Sequence, residues 1–260
     1  MRCYPRPAKR PAPLDSLYLV NLDRATERRA HMLAQLARTG LAVHRVGVDG
    51  RGRSASELRR LAAAVCPQIE FDLGRLSGAE VGCWLSHLTA WIDFRRRSRR
   101  GCCVVIEDDL VLAEGFGEAV RSLARQDRYD TLFLGTSSKN LSARRAQRIG
   151  AIAVREPVGS IYNTWGYVLR RGYIESLLAR RPLQIDVPVD HVLGGRRPLI
   201  PATIAVVAPE LVREADWLAS KSQIDASALR VDRWALVQGL RRRLLRSRAG
   251  DLYSAMFRWR

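Results

Sequence analysis

The chain has 260 residues, 47% of them hydrophobic, which is enough for one large α/β domain and too apolar for wholesale disorder. Its 44 basic and 26 acidic residues leave a net charge of +18, and every basic residue except Lys9, Lys139 and Lys221 is arginine. Guanidinium forks favour phosphate-bearing partners, so clustered arginines point to nucleotide diphosphates, nucleic acid or anionic lipid; scattered ones reflect an arginine-rich composition. The five cysteines form no Cys-x-x-Cys pair, and Cys102-Cys103 lie inside an apolar run, the usage of a reducing compartment. No apolar stretch approaches the roughly 20 residues of a membrane helix. The N-terminal segment 1–14 is basic, without the apolar core of a signal peptide, and reads as a disordered lead-in to a cytoplasmic protein.

In chain order, Leu17 to Val20 reads as a strand, with Asp23 as N-cap of a helix carrying Met32, Leu33 and Leu36. Gly40 ends that helix, and Leu41 to Val48 returns as a strand closing on Asp49-Gly50, a parallel pair with a right-handed crossover. A short helix is expected from Ser56 to Val65. Ser77 and Glu80 have capping-box spacing and start a helix running to about Phe94. Gly101 to Ile106 is a continuous apolar run rich in β-branched residues, as expected of a central parallel strand, and it ends in Glu107-Asp108-Asp109. Further on, the pattern predicts a helix near 114–124, a strand at 131–134 and a mobile basic loop at 136–150. Strands are expected at 152–154, 162–169 and 200–207, with a helix at 171–179. From residue 226 onward an apolar stripe (Leu236, Leu240, Leu244) faces a band of arginines, a basic amphipathic tail suited to an anionic membrane surface or to packing on the domain.

Three adjacent carboxylates repel one another unless a cation sits among them. At the carboxyl end of a parallel strand they face the crevice where open α/β sheets bind ligands, and hard oxygen ligands suit Mg²⁺ or Mn²⁺. The competing reading is a solvated turn with one Asp capping the next helix. Glu80 and His87 share a helix face with Trp84 and Trp91, opposite a stripe of Val81, Leu85, Leu88 and Ile92 that would pack on the sheet. Glu80 serves equally well as the partner of Ser77, and His87 as a core histidine. Arg24, Arg28 and Arg29 stand in the first turns of the first helix, where anions are favoured. Asp186 and Asp190 bracket Val187-Pro188-Val189; one of them is a candidate general base, or both stabilise a turn.

Taken in order, Val20-Asn21-Leu22-Asp23-Arg24, Val48-Asp49-Gly50, Glu80-Val81-Gly82-Cys83 with Ser86-His87, and Glu107-Asp108-Asp109 resemble glycosyltransferase family 25. Thr164-Trp165-Gly166, Pro188-Val189-Asp190 and Ser222-Gln223-Ile224 extend the resemblance over residues 16 to about 225. Ala25 stands where the family often has a second arginine. The resemblance implies a GT-A type α/β domain at 15–225, with a mostly parallel sheet and a basic helical tail at 226–260. It implies a divalent metal held by Glu107 and Asp109, and a UDP-sugar, commonly UDP-galactose, contacted by Asn21, Leu22, Arg24, Arg28, Asp49, His87 and Asp108. Asp190, Asp186 and Glu80 become the catalytic candidates of an inverting transfer to a saccharide or glycolipid acceptor, as in lipopolysaccharide assembly. Two rivals stand beside it: a sugar-nucleotide-binding scaffold of the same fold, and a basic nucleic-acid-binding protein, which lacks any recognised binding motif.

Overall fold

The computed structural model describes Leu14, residues 16–137 and residues 141–215, with side chains described outside 138–146. Residues 1–13 of the basic lead-in, the match at 222–224 and the helical tail at 226–260 lie outside the described residues.

Strand β1 (Ser16–Val20), helix α1 (Thr26–Leu36) and strand β2 (Ala42–Val46) form the expected crossover unit, with β1 and β2 parallel. Asp23 does not cap α1; its carboxylate pairs with Arg45 of β2, and the helix starts after Ala25 with no side-chain cap. Helix α2 (Ala55–Val65) is capped by Ser54 and Glu57, and strand β3 (Ile69–Phe71) follows. Helix α3 (Gly78–Arg97) has the predicted Ser77–Glu80 box and runs one turn past Phe94. Strands β4 (Cys102–Glu107) and β5 (Leu110–Leu112), helix α4 (Phe116–Leu123) and strand β6 (Thr131–Phe133) come next. Strands β7 (Leu141–Ile149), β8 (Ile152–Pro157) and β9 (Gly166–Arg170), helix α5 (Arg171–Leu178) and strand β10 (Leu183–Ile185) lead to helix α6 (Val189–Leu193), and β11 (Ile204–Val207) and β12 (Val212–Glu214) close the described chain.

The eight-stranded sheet has the order β2-β1-β4-β9-β6-β11-β8-β7. Strands β9 and β8 run against the other six, so the sheet is mixed with most strands in one direction, consistent with the mostly parallel sheet expected; β4, read as a central parallel strand, pairs parallel with β1 and antiparallel with β9. A strand buried on both faces reads as a continuous apolar run in either direction, so its sequence does not distinguish the two pairings. The expected mobile loop is corrected too: its second half is β7, a polar edge strand turning into β8 at Gly150. An edge strand lacks an apolar run because charge there discourages further pairing.

Alternation along the strands divides the core. Tyr18, Cys103, Val105, Phe133, Tyr167 and Val206 face one layer with α2, α3, α5 and α6. Leu17, Leu19, Val104, Ile106, Leu132, Val168 and Ala205 face the other with α1 and α4. Helix α3 is buried on both of its predicted stripes, because α2 covers the side turned away from the sheet. Among the described residues no helix is long and apolar enough to cross a membrane.

A glycine seam ties α3 to the end of β2. A Cβ on Gly82 would lie 2.6 Å from Gly50 N and 2.6 Å from Val48 O, and one on Gly50 would lie 2.0 Å from Gly78 O. Ser86 Oγ accepts from the Val48 N–H at 2.9 Å and donates to Gly82 O at 2.8 Å, fastening the same crossing. Backbone stands on both sides, so no side-chain rotation relieves a clash. Gly82→Ala is expected to cost on the order of 1–3 kcal/mol, read as a lower urea midpoint at unchanged slope; an unchanged midpoint would show the crossing to be slack.

Candidate functional site

The site grows from the carboxyl ends of β1 and β4. Their register sets Val20 opposite Glu107, which brings Asn21 level with Asp108. Asn21 is buried, and its Nδ2 donates to Asp108 Oδ2 at 2.7 Å and to Ala25 O at 3.0 Å. From α1, the buried Arg28 places Nη1 3.1 Å from Asp108 Oδ1 and 3.0 Å from Asp109 Oδ2. One guanidinium thus serves two carboxylates. Burial raises the Asp108 carboxyl above its ordinary value despite Asn21 and Arg28. Burial, then the charge of Glu107, push Asp109 up to about 7, with Arg28 opposing. Its second oxygen, Oδ1, is buried and has no hydrogen-bond partner among the described residues.

Glu107 has a different environment. Thr164 Oγ1 donates to its Oε1 in a short contact, and His87 Nε2 stands 3.6 Å from the same oxygen. Burial pushes its carboxyl up, but His87, Thr164 and Arg28 outweigh burial and hold it below the usual range. His87 is fully buried, its Nδ1 lying 2.7 Å from the Tyr167 hydroxyl, which also accepts from Trp91 Nε1 at 2.9 Å. The loop before β9 links Glu107 to α6: next to Thr164, Asn163 sits in left-handed backbone at φ 71° and donates its N–H to Asp190 Oδ2 at 3.2 Å. Asp190 Oδ1 accepts from the His191 N–H at 2.9 Å. Non-glycine residues in that backbone region gather at functional sites.

Cys83 stands amid these groups. Burial, then the charges of Glu107, Asp190, Glu80 and Asp109, drive its thiol well above the ordinary value. Beside them, Arg24 pairs closely with Asp49 at the end of β2, and Arg51 reaches Asp49 Oδ1 with its backbone N–H at 3.1 Å. Burial, then the nearby charge of Arg51, lower the Arg24 guanidinium, while Asp108 opposes them, so two arginines border the acidic cluster.

The geometry sorts the other expected site residues. Arg28, Asn21 and Asp108, expected at the nucleotide, form a buried bracing unit whose side chains hold the triplet. His87 is likewise sealed in the core and reaches the site only through Glu107. Glu80 spends Oε2 on the Ser77 N–H (2.7 Å) and hydroxyl (2.8 Å) as the partner of the helix cap. Asp186 Oδ2 lies between Arg75 at 2.8 Å and Arg197 at 2.9 Å, paired with two guanidiniums. Pro188 does not prevent a helix; it sits at the N-cap of α6 and puts Asp190 in the first turn. Leu22 offers its carbonyl to the Ala25 N–H. Sequence reasoning missed Cys83, Arg51, Asn163 and Thr164 as site residues. The signals for Cys83 were its place one turn before His87 and its position in the Glu80-Val81-Gly82-Cys83 motif.

The family model described as Glycosyltransferase family 25 (LPS biosynthesis protein) matches residues 15–193. The chain belongs to glycosyltransferase family 25. It is 30% identical over 198 residues to the human protein named "Inactive glycosyltransferase 25 family member 3", an alignment covering 72% of this chain and 33% of that protein. It is 28% identical over 195 residues to the Drosophila melanogaster "Glycosyltransferase 25 family member" (72% and 31%). It is 29% identical over 189 residues to "Procollagen galactosyltransferase 1" of Danio rerio (69% and 31%). This family 25 chain spans about a third of the length of those curated relatives.

Two measurements check the electrostatics. Arg28→Met leaves two buried carboxylates without their shared cation and should lower unfolding stability by about 3–5 kcal/mol; a loss under about 1 kcal/mol would remove Arg28 from its bracing role. Asp109 has a folded value near 7 against an ordinary 3.8, so the folded state prefers the protonated acid. Its contribution is most favourable below the unfolded value and is lost as pH rises through the folded one. In chelator, Asp109→Asn should therefore gain melting temperature over wild type as pH rises from 3.8 to about 7, then hold that lead. A gap that does not change with pH would refute the assignment.

Proposed function

We propose that this chain is an inverting glycosyltransferase of the GT-A type, moving a hexose, galactose foremost, from a UDP-sugar to a saccharide acceptor in lipopolysaccharide or other surface-glycan assembly. The observation that carries the reading is Asp109 Oδ1, a buried carboxylate oxygen near Glu107 with no hydrogen-bond partner among the described residues. An acid raised by neighbouring negative charge is a site a divalent cation would restore to its ionised form, so the residues fit Mn²⁺ or Mg²⁺ held by Asp109 and Glu107. Such a cation offsets negative charge developing on the diphosphate leaving group.

The remaining roles belong to side chains of this chain. Arg24 and Arg51 flank Asp49 at the ends of β1 and β2 and supply forked donors for the diphosphate, with Asp49 and the Leu22 backbone setting the nucleoside side of the pocket. Asp190 takes the acceptor proton. Its oxygens are oriented by the N–H groups of Asn163 and His191, which fix the carboxylate and leave lone pairs for a hydroxyl. Thr164 and His87 keep Glu107 ionised. A lipid-linked acceptor would bring the enzyme to the inner face of the cytoplasmic membrane, the location suggested by the basic sequence after residue 226.

A second reading, a sugar-nucleotide-binding protein that does not transfer, is favoured by the guanidinium of Arg28 among the carboxylates and by the word "Inactive" in the human relative's name. One experiment separates the two. Mn²⁺-dependent hydrolysis of UDP-galactose should be measurable in wild type and fall by about 10²-fold or more in Asp109→Asn, with UDP-dependent thermal stabilisation retained in both. Stabilisation by UDP-sugar without turnover in wild type would establish the binding protein; absence of both would sink the transferase reading.

A further inference from the structure

Cys83 and His87 stand one turn apart on the same face of α3, and Glu107 reaches the same point from the end of β4. One donor atom from each of the three lies within 4.8 Å of the others. The imidazole is fully buried, and its Nε2 has no hydrogen-bond partner among the described residues. At 3.6 Å from Glu107 Oε1, Nε2 is too far for a good hydrogen bond. That separation suits two ligands of one tetrahedral ion, whose donor atoms, bonded at about 2.0–2.3 Å, stand roughly 3.5 Å apart.

We infer that Cys83, His87 and Glu107 form a site for a borderline-soft divalent cation of the zinc class, distinct in chemistry from the oxygen site of Asp109 and sharing only Glu107 with it. Thiolate, imidazole and carboxylate are the donor types that favour zinc, whereas Mg²⁺ and Mn²⁺ favour oxygen. Tyr167 supplies the outer support such sites use. Its hydroxyl is held by Trp91 and faces His87 Nδ1, which orients the ring and directs Nε2 toward Glu107. On binding, the Cys83 thiol loses its proton to solvent and sulfur takes the metal in its place, so no oxidant or reductant is involved. Three protein ligands leave the fourth position to water or to a substrate oxygen.

The test uses the full chain, purified without a histidine tag, with Co²⁺ as spectroscopic probe. Wild type should give the thiolate-to-cobalt charge-transfer band and tetrahedral visible bands, abolished by stoichiometric Zn²⁺ and unaffected by excess Mn²⁺. Cys83→Ser should lose the charge-transfer band. A band that persists in Cys83→Ser sits on another thiol and overturns the inference, as does the absence of any band in wild type. Should the serine variant fail to fold, wild type alone decides: saturating Zn²⁺ should slow alkylation of Cys83 by at least tenfold, read on the peptide by mass, and unaltered alkylation refutes the site. Because these readouts follow sulfur and not turnover, they stand or fall independently of UDP-sugar hydrolysis at Asp109.

Discussion

Arg28 reaches from the first helix into the gap between Asp108 and Asp109, and the arrangement of the acidic triplet depends on that one guanidinium. Three neighbouring carboxylates in a partly buried site carry more negative charge than one cation can offset. The structure divides the deficit unequally. Asp108 is satisfied by Arg28 and Asn21, Glu107 by Thr164 with His87 nearby, and Asp109 is left with one oxygen unpartnered among the described residues and a raised pKa. The unbalanced charge is concentrated on Asp109.

Helix α3 delivers the other half of the site, and two constraints hold it in place. The glycine seam allows its first turns to touch the backbone after β2, which fixes Gly78 and Gly82 against the loop carrying Asp49. Deeper in, Trp91, Tyr167 and His87 form a buried polar chain that ends at Glu107. Chains of this kind are costly when incomplete and rigid when satisfied. The end of the chain at Nε2 is its one open member among the described residues.

Much of the secondary structure was legible because it is local. The Ser77–Glu80 capping box, the Gly40 terminus and the apolar run of β4 each follow from a few consecutive residues. The polar edge strand β7 escaped notice, since exposure there removes the apolar run that marks a buried strand. The antiparallel partner of β4 was also hidden: Val168 opposite Val104 and Tyr167 opposite Val105 look the same in either orientation. In the site, Glu107, Asp109 and Asp190 stood out as acids beside structural breaks. Cys83 did not, as an isolated thiol in a helix reads as core.

The sequence by itself determined the family, the crossover at the start of the chain and the strand end where three carboxylates meet, because each is written in contiguous residues. Only the tertiary structure decided which of those carboxylates is spoken for. Arg28 is about 80 positions from Asp108 and Asp109, Thr164 is 57 from Glu107, and Asn163 is 27 from Asp190. Ion pairing and burial act through space, so the pairing of Asp108 with Arg28 and Asn21, and the unpartnered Oδ1 of Asp109, emerged only once the sheet register had brought those partners together.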